Sequence, residues 1–184
     1  TVWVCPFYRS WSGMLQRGYS ENWKTNYPTY AETRVYEDWH RFSTYKKWME
    51  TQPWENAYLD KDILHKGNQL YCPESCVFIP QKINALLINC TSARGNYPIG
   101  VTCREERYIS RVQDGIGGRT YLGSFGSSEE AHKAWQLGKA DSIEVVASNW
   151  YGEPTYRPDI VDALLKRSYQ LRLDAANGVE TFIL

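Results

Sequence analysis

Leu59–Leu87 reads LDKDILHKGNQLYCPESCVFIPQKINALL, and its reading decides the fold. It opens on Leu59 followed by three charged residues in a row, Asp60-Lys61-Asp62. A Gly67-Asn68 turn comes next, then the apolar run Cys76-Val77-Phe78-Ile79. From Pro80 the spacing becomes helical, with Ile83, Leu86 and Leu87 on one face and Asn84 off it. The order is therefore strand, loop, strand, helix, with Pro in the first helical turn, where its missing N–H costs nothing. Charged residues at the end of a strand, facing a polar residue on the next helix, are a place to hold a metal ion.

Working outward toward the N-terminus, residues 5–20 place Phe7, Trp11, Met14, Leu15 and Tyr19 at three- and four-residue spacing. That spacing predicts an amphipathic helix with Arg9 and Arg17 on its polar side. Residues 21–34 are polar and turn-rich and read as a loop. Val35–Trp39 reads as a short strand or turn. Phe42–Met49 is helical, with Phe42, Tyr45, Trp48 and Met49 as its apolar face, and Gln52-Pro53 ends it. Asn89–Asn96 reads as a linker.

Beyond the linker the period changes. Ile99-Gly100-Val101, Arg107–Val112 and Arg119–Gly123 are three short runs, separated by turns at Glu105-Glu106 and at 114–118. Three strands with Gly-rich connections predict an antiparallel meander. Ser127 followed by Glu129 and Glu130 is a helix start, with a hydroxyl cap and acids in the first turn. The helix is expected to run to about Val146, burying Ala131, Ala134, Trp135 and Ala140. A last helix, Pro158 to about Ala176, carries Ile160, Leu164, Leu165, Tyr169 and Leu171. It is expected to pack back on the core or to meet a second copy or another protein.

The chain has 184 residues, 42% of them hydrophobic, enough for one sizeable core or two small ones. Eight Trp and 14 Tyr serve both as core fillers and as surfaces that grip an extended partner. Lys+Arg and Asp+Glu both number 21, so net charge carries no nucleic-acid footprint and distribution must decide. The five cysteines form neither a disulfide framework nor a paired zinc pattern. No apolar run approaches the roughly 20 residues of a membrane span. The expectation is a soluble cytoplasmic protein with no membrane partner.

Arg104, Arg107, Arg111 and Arg119 fall inside the meander, opposed only by Glu105, Glu106 and Asp114. From composition alone, an ordinary solvated sheet face is the better reading. Residues 94–150, however, resemble an AP2-type DNA-binding domain. The resemblance is carried by Gly100-Val101, Tyr108, Leu122-Gly123-x-Phe125, Ser127-x-Glu129-Glu130-Ala131, Trp135 and Asn149-Trp150. It implies a three-stranded sheet backed by one helix, lying in the major groove of double-stranded DNA. Arg104, Arg107, Arg111, Arg119 and Tyr121 would then be the contact residues.

Residues 5–88 resemble the phage HNH homing-type endonucleases. The matching pieces are Tyr8-x-x-Trp11-x-x-Met14, Trp39-x-x-Phe42-x-x-Tyr45-x-x-Trp48, Leu59-Asp60-Lys61-Asp62-Ile63, Gly67-Asn68 and Pro73-Glu74-Ser75-Cys76. The resemblance implies a ββα-metal unit. Its first metal ligand falls on Asp60 and its general base on Lys61. The motif's middle Asn falls on Ser75, and the helix ligand on Asn84. A carboxylate and an amide oxygen suit Mg²⁺, or Mn²⁺ in its place.

A lysine near its reference pKa of about 10.4 is protonated and takes no proton. Lys61 therefore either has a depressed pKa or binds the scissile phosphate while His65 or His40 acts as base. The expected class is α+β. N-terminal helical elements and the HNH unit occupy 1–92, the AP2-like sheet and helix 93–150, and a C-terminal helical tail 151–184. The expected function is metal-dependent hydrolysis of DNA phosphodiesters. The alternative is a degenerate HNH/AP2 protein that binds DNA or another protein as a phage regulator.

Overall fold

The structure is a computed structural model that describes residues 5–87, 96–113, 118–153 and 155–184. The chain is mixed α and β and divides into two compact units, Thr1–Pro80 and Gln81–Leu184.

The first unit opens with α1 (Pro6–Tyr19), whose Pro occupies the first turn. Ser20 then starts α2 (Glu21–Asn26), its hydroxyl accepting a hydrogen bond from the Trp23 N–H at 3.3 Å. A 3₁₀ turn follows at Pro28–Tyr30. The stretch 21–34 is thus more ordered than its polar composition predicts. The serine cap and Glu21 in the first turn satisfy enough helix-end N–H groups for a short helix. Next come β1 (Arg34–Val35), a 3₁₀ turn at Glu37–His40, and α3 (Phe42–Met49).

Met14, Val35, Trp39, Tyr45, Met49, Tyr71, Cys76 and Phe78 form the core of this unit. Trp39 sits at its centre, 4.5 Å from the Trp48 ring and 5.1 Å from Tyr45, while its carbonyl accepts from Trp11 Nε1 at 2.7 Å. Much of the aromatic excess in the sequence is therefore core, and truncating such a ring costs about 3–5 kcal/mol.

Three strands complete the unit: β2 (Ala57–Asp60), β3 (Leu70–Tyr71) and β4 (Val77–Pro80). β3 runs parallel to β1, and β2 pairs antiparallel with β4 in the register Asp60↔Val77 to Ala57↔Pro80. Pro80 therefore closes a strand, and the helix begins one residue later than predicted, as α4 (Gln81–Leu86). The predicted linker lies outside the described residues except for Asn96.

In the second unit β5 (Val101–Arg104), β6 (Arg107–Gln113) and β7 (Arg119–Phe125) form the expected meander. Glu105 and Glu106 both take positive φ, 51° and 60°, as a two-residue hairpin turn twisted with the strands requires. α5 (Ser128–Asn149) packs on the inner face of the sheet, its Ser127 cap accepting from Glu130 N–H at 3.2 Å. Gly100 is what permits this packing. Its φ is +81°, and a Cβ built there would lie 2.0 Å from Trp135 Cδ1. Only a bare Cα lets the indole rest on this turn.

α6 (Pro158–Asn177) packs along α5, with Arg172 bridging Asp141 at 2.7 Å and Glu144 at 2.9 Å. Of its predicted apolar residues, Ile160, Leu164 and Leu171 are buried, whereas Leu165 and Tyr169 are exposed. His132 on α5 ties the last residues down. Its Nδ1 lies 2.9 Å from the Ile99 carbonyl, and its Nε2 accepts from Thr181 N–H at 3.0 Å. Among the described residues, no helix is long and apolar enough to cross a membrane.

Candidate active site and nucleic-acid interface

Asp60 ends β2, and its carboxylate turns the chain out of the strand. One oxygen, Oδ1, accepts from the N–H of Asp62 at 2.9 Å and of Ile63 at 2.7 Å. Two backbone donors favour the ionised form, yet the carboxyl is pushed the other way, to about 6 from its usual 3.8. Burial is the largest cause and the neighbouring Asp62 carboxylate the second. The two carboxyls lie close enough to share a hydrogen bond. Asp62, to which the resemblance assigns no role, thus stands beside Asp60 and acts on its titration.

Lys61 is only 5% exposed, and its ammonium makes two hydrogen bonds. Nζ donates to Asp62 Oδ2 at 3.0 Å and to the Asn68 carbonyl at 2.7 Å. It also stands 5.8 Å from the Tyr30 ring centre and 5.9 Å from that of Tyr71.

The loop that carries these groups is held by Asn68. Its Nδ2 faces the Lys61 carbonyl at 2.6 Å, the Leu70 carbonyl at 2.8 Å and Ser75 Oγ at 3.1 Å, while its Oδ1 accepts from Leu70 N–H. Ser75 is buried and donates to the Leu70 carbonyl at 3.0 Å. The Asn68 amide thus links the Lys61 side of the loop to Ser75. The Gly67-Asn68 dipeptide marked a turn in the sequence; that the asparagine side chain folds back into the loop was the part not read.

The remaining predicted groups have surroundings of their own. His65 is exposed in the turn after Asp60, and His40 hydrogen-bonds Tyr19 Oη at 2.7 Å, with Glu37 at 3.7 Å. Asn84 is half-buried on α4 and belongs to the second unit, while Asp60 and Lys61 belong to the first. Two residues that the sequence gave no reason to select lie near the acidic strand end: Arg17, 54 positions from its partner Tyr71, and Tyr30. No local pattern marks partners so far apart in the chain.

The structure does bring the sheet arginines together. Residues directly opposite across an antiparallel pair share a face. Arg104 pairs with Arg107, Arg111 with Tyr121, and Gln113 with Arg119. Strand alternation leaves Ser110 and Val112 buried and Arg111 exposed between them, while the register shift there takes up the extra Leu122 of β7 and sets Tyr121 opposite Arg111. All four arginines and Tyr121 consequently lie on one solvent face. Arg111 stands 5.9 Å from the Tyr121 ring, and Arg107 donates to Ser124 Oγ and to its carbonyl. Arg104 directly opposite Arg107 is a like-charge pair, offset in part by the exposed Glu105 carboxylate 3.6 Å from Arg104 Nε.

Comparison with protein-family models, with curated proteins and with solved structures returns no match. Among the described residues, no group of three or more His, Cys, Asp or Glu side chains converges as a metal site. A hard divalent ion needs less than that. Mg²⁺ is commonly held by one or two carboxylates, with waters and substrate phosphates completing the shell. Asp60 beside Asp62 fits that pattern, since a cation would relieve the repulsion between the two carboxylates.

Proposed function

We propose that the protein is a metal-dependent DNA endonuclease that hydrolyses phosphodiesters in the first unit and grips the duplex with the arginine face of the sheet. The observation that carries this reading is the Asp60–Asp62 pair: two carboxylates at a strand end, one of them held with a raised pKa by burial and by its neighbour. Asp60 and Asp62 would hold Mg²⁺ or Mn²⁺, and the resemblance to HNH enzymes assigns a further ligand to Asn84. When bound, the ion would supply Lewis-acid stabilisation of the charge that develops on the phosphate oxygens.

The chain's own residues do the rest. Asn68 and Ser75 fix the loop. Lys61, engaged through Asp62 and Asn68, orients the second carboxylate. His40 is engaged with Tyr19, so His65, exposed on the turn after Asp60, is the histidine assigned to take the proton from the attacking water. The arginines and Tyr121 neutralise backbone phosphates and meet base edges, placing the duplex.

Plasmid relaxation in Mg²⁺ or Mn²⁺ tests this. Cleavage by the native chain is expected, with a loss of about 100-fold or more in Asp60→Ala and a smaller loss in Lys61→Ala. Failure of both metals to support cleavage sinks the reading.

A second reading, a DNA- or protein-binding regulator without catalysis, has its own observations. The Lys61 ammonium is occupied by Asp62 and the Asn68 carbonyl, and Leu165, Tyr169 and Leu173 form an exposed stripe along α6. It predicts duplex retardation that weakens steeply with salt, without any nicking.

A further inference from the structure

We propose that Arg17 and Tyr30 form an anion seat in the first unit, close to Lys61 and the Asp60–Asp62 pair, that takes a non-bridging oxygen of a phosphodiester. The choice of DNA as the source of that phosphodiester rests on the endonuclease reading; the seat itself rests on geometry.

Arg17 falls on the polar side of α1 in the sequence pattern, yet it is half-buried. Its Nε donates to Tyr71 Oη at 2.7 Å, and its guanidinium carbon stands 5.4 Å from the centre of that ring. The Lys61 ammonium stands 5.9 Å from the same ring, so two cations border Tyr71. Their situations differ. Lys61 has Asp62 at 3.0 Å, whereas Arg17 has no carboxylate within ion-pair distance among the described residues.

A guanidinium offers five N–H donors, and only Nε is used here. A partly desolvated charge without a counter-ion is costly to the fold. Because Tyr71 anchors it, Arg17 is also oriented before any ligand arrives, and a fixed fork is the geometry that receives phosphate oxygens. Tyr30 adds a second donor. It is half-buried at the end of the 3₁₀ turn, and its hydroxyl has no hydrogen-bond partner among the described residues. Burial holds its phenol above the usual range, while Arg17 pulls it down and Asp62 and Asp60 push it up. Lys61 Nζ stands 5.8 Å from the Tyr30 ring and 5.9 Å from that of Tyr71, which holds Arg17, so Tyr30 and Arg17 border one region. A fixed guanidinium with open N–H donors, and a phenol hydroxyl with no partner among the described residues, give that region donors for an anion.

The experiment titrates the metal-free protein with inorganic phosphate and, separately, with a thymidine dinucleotide that carries one phosphodiester. The Arg17 Nε–H and the Tyr30 ring are followed by NMR. Saturable shifts of both signals are expected with both ligands. Arg17→Gln should weaken binding about tenfold, or about 1.4 kcal/mol. Arg17→Lys should fall between the two, keeping charge but losing the fork, and Tyr30→Phe should cost about threefold. If Arg17 only buttresses Tyr71, Arg17→Gln lowers the melting temperature and leaves phosphate affinity unchanged, which overturns the proposal. Should Arg17→Gln fail to fold, Tyr30→Phe, which loses no internal bond, decides: unchanged affinity overturns the seat. Binding of phosphate but not of the dinucleotide overturns DNA as the source. An uncut plasmid with Arg17-dependent binding intact sinks the nuclease and leaves the seat. Cleavage and phosphate binding that are both unimpaired in Arg17→Gln do the reverse.

Discussion

The acidic strand end of the first unit and the arginine face of the second are both candidate sites, and they are built on opposite principles. At Asp60 the charges are crowded together beside a half-exposed Asp62 and held by Asn68, the buried Lys61 and the backbone. On the sheet the arginines stand in solvent, and two of them face each other across a strand pair. The first site stores unfavourable electrostatics inside the fold, where a bound cation would release it. The second stores little, because water screens exposed charges. Mutations should therefore separate the two: stability should respond at the acidic site, and ligand affinity at the sheet.

The comparison presupposes a rigid support behind the sheet, and the largest expected effect breaks that support. In Gly100→Ala the new methyl would lie 2.0 Å from the Trp135 ring, at a φ of +81° that L-residues rarely adopt. The indole has no room to retreat, with the His132 ring stacked 5.4 Å from it. A loss of about 3–5 kcal/mol is expected, combining overpacking with backbone strain. Chemical denaturation followed by tryptophan fluorescence should show the second unit unfolding early while the first keeps its transition. A variant as stable as the native chain would mean that the turn is not packed as described.

A smaller effect, of the opposite sign, is expected at Asp60. Its folded pKa lies near 6, above the usual 3.8, so the folded state holds the proton more tightly than the unfolded one. The group therefore costs nothing below pH 3.8, and the penalty grows as pH rises toward 6 and is complete above it. Asp60→Asn carries no such charge and can keep the amide oxygen that receives the Asp62 and Ile63 N–H groups. In chelator at pH 7–8 it should be more stable than the native chain by about 1–3 kcal/mol. The gain should shrink below pH 6 and vanish near pH 4. Mg²⁺ should stabilise the native chain and not the variant. Thermal melts across pH, with and without metal, check both. A native chain that is the more stable at pH 8 without metal would contradict the raised pKa.

What could be read in advance follows the same division. The meander and its capped helix follow from a period of two and from local turn chemistry, which a sequence displays directly. α3 was legible for the same reason, as a 3.6 period with a clear apolar side. The extra residue of β7 at the Ser110/Arg111 register shift was not visible, although it is what sets Tyr121 and Arg119 on the face of Arg111. The acidic site was legible only in part. Asp60 and Lys61 stood out as charges after a strand. Asp62 received no role, because nothing local tells a carboxylate that acts on its neighbour from a solvated one. Arg17, Tyr30 and Tyr71 reach the site through tertiary packing of α1 and β3, which no spacing rule encodes.

The smallest stability effect is expected where the sequence was most legible. Arg111→Gln and Arg119→Gln each remove an exposed guanidinium from the sheet face, and neither makes an ion pair to a carboxylate among the described residues. Each should change stability by less than about 0.5 kcal/mol. Affinity for a DNA duplex should respond more. If each arginine neutralises one phosphate, the slope of log K against log salt should fall by about 0.9 per substitution. The loss should be nearly the same for any duplex sequence if the contact is to phosphate, and confined to one base position if it is to a guanine edge. Arg104→Gln adds a sharper test, because it also removes the like-charge pair with Arg107. It should raise stability slightly while lowering duplex affinity, a reversal that a merely solvated face has no reason to show. Fluorescence anisotropy at several salt concentrations, set beside melts of the same variants, measures both. Loss of stability in these variants without loss of affinity would mean that the sheet face serves the fold and that duplex binding, if it occurs, uses another surface.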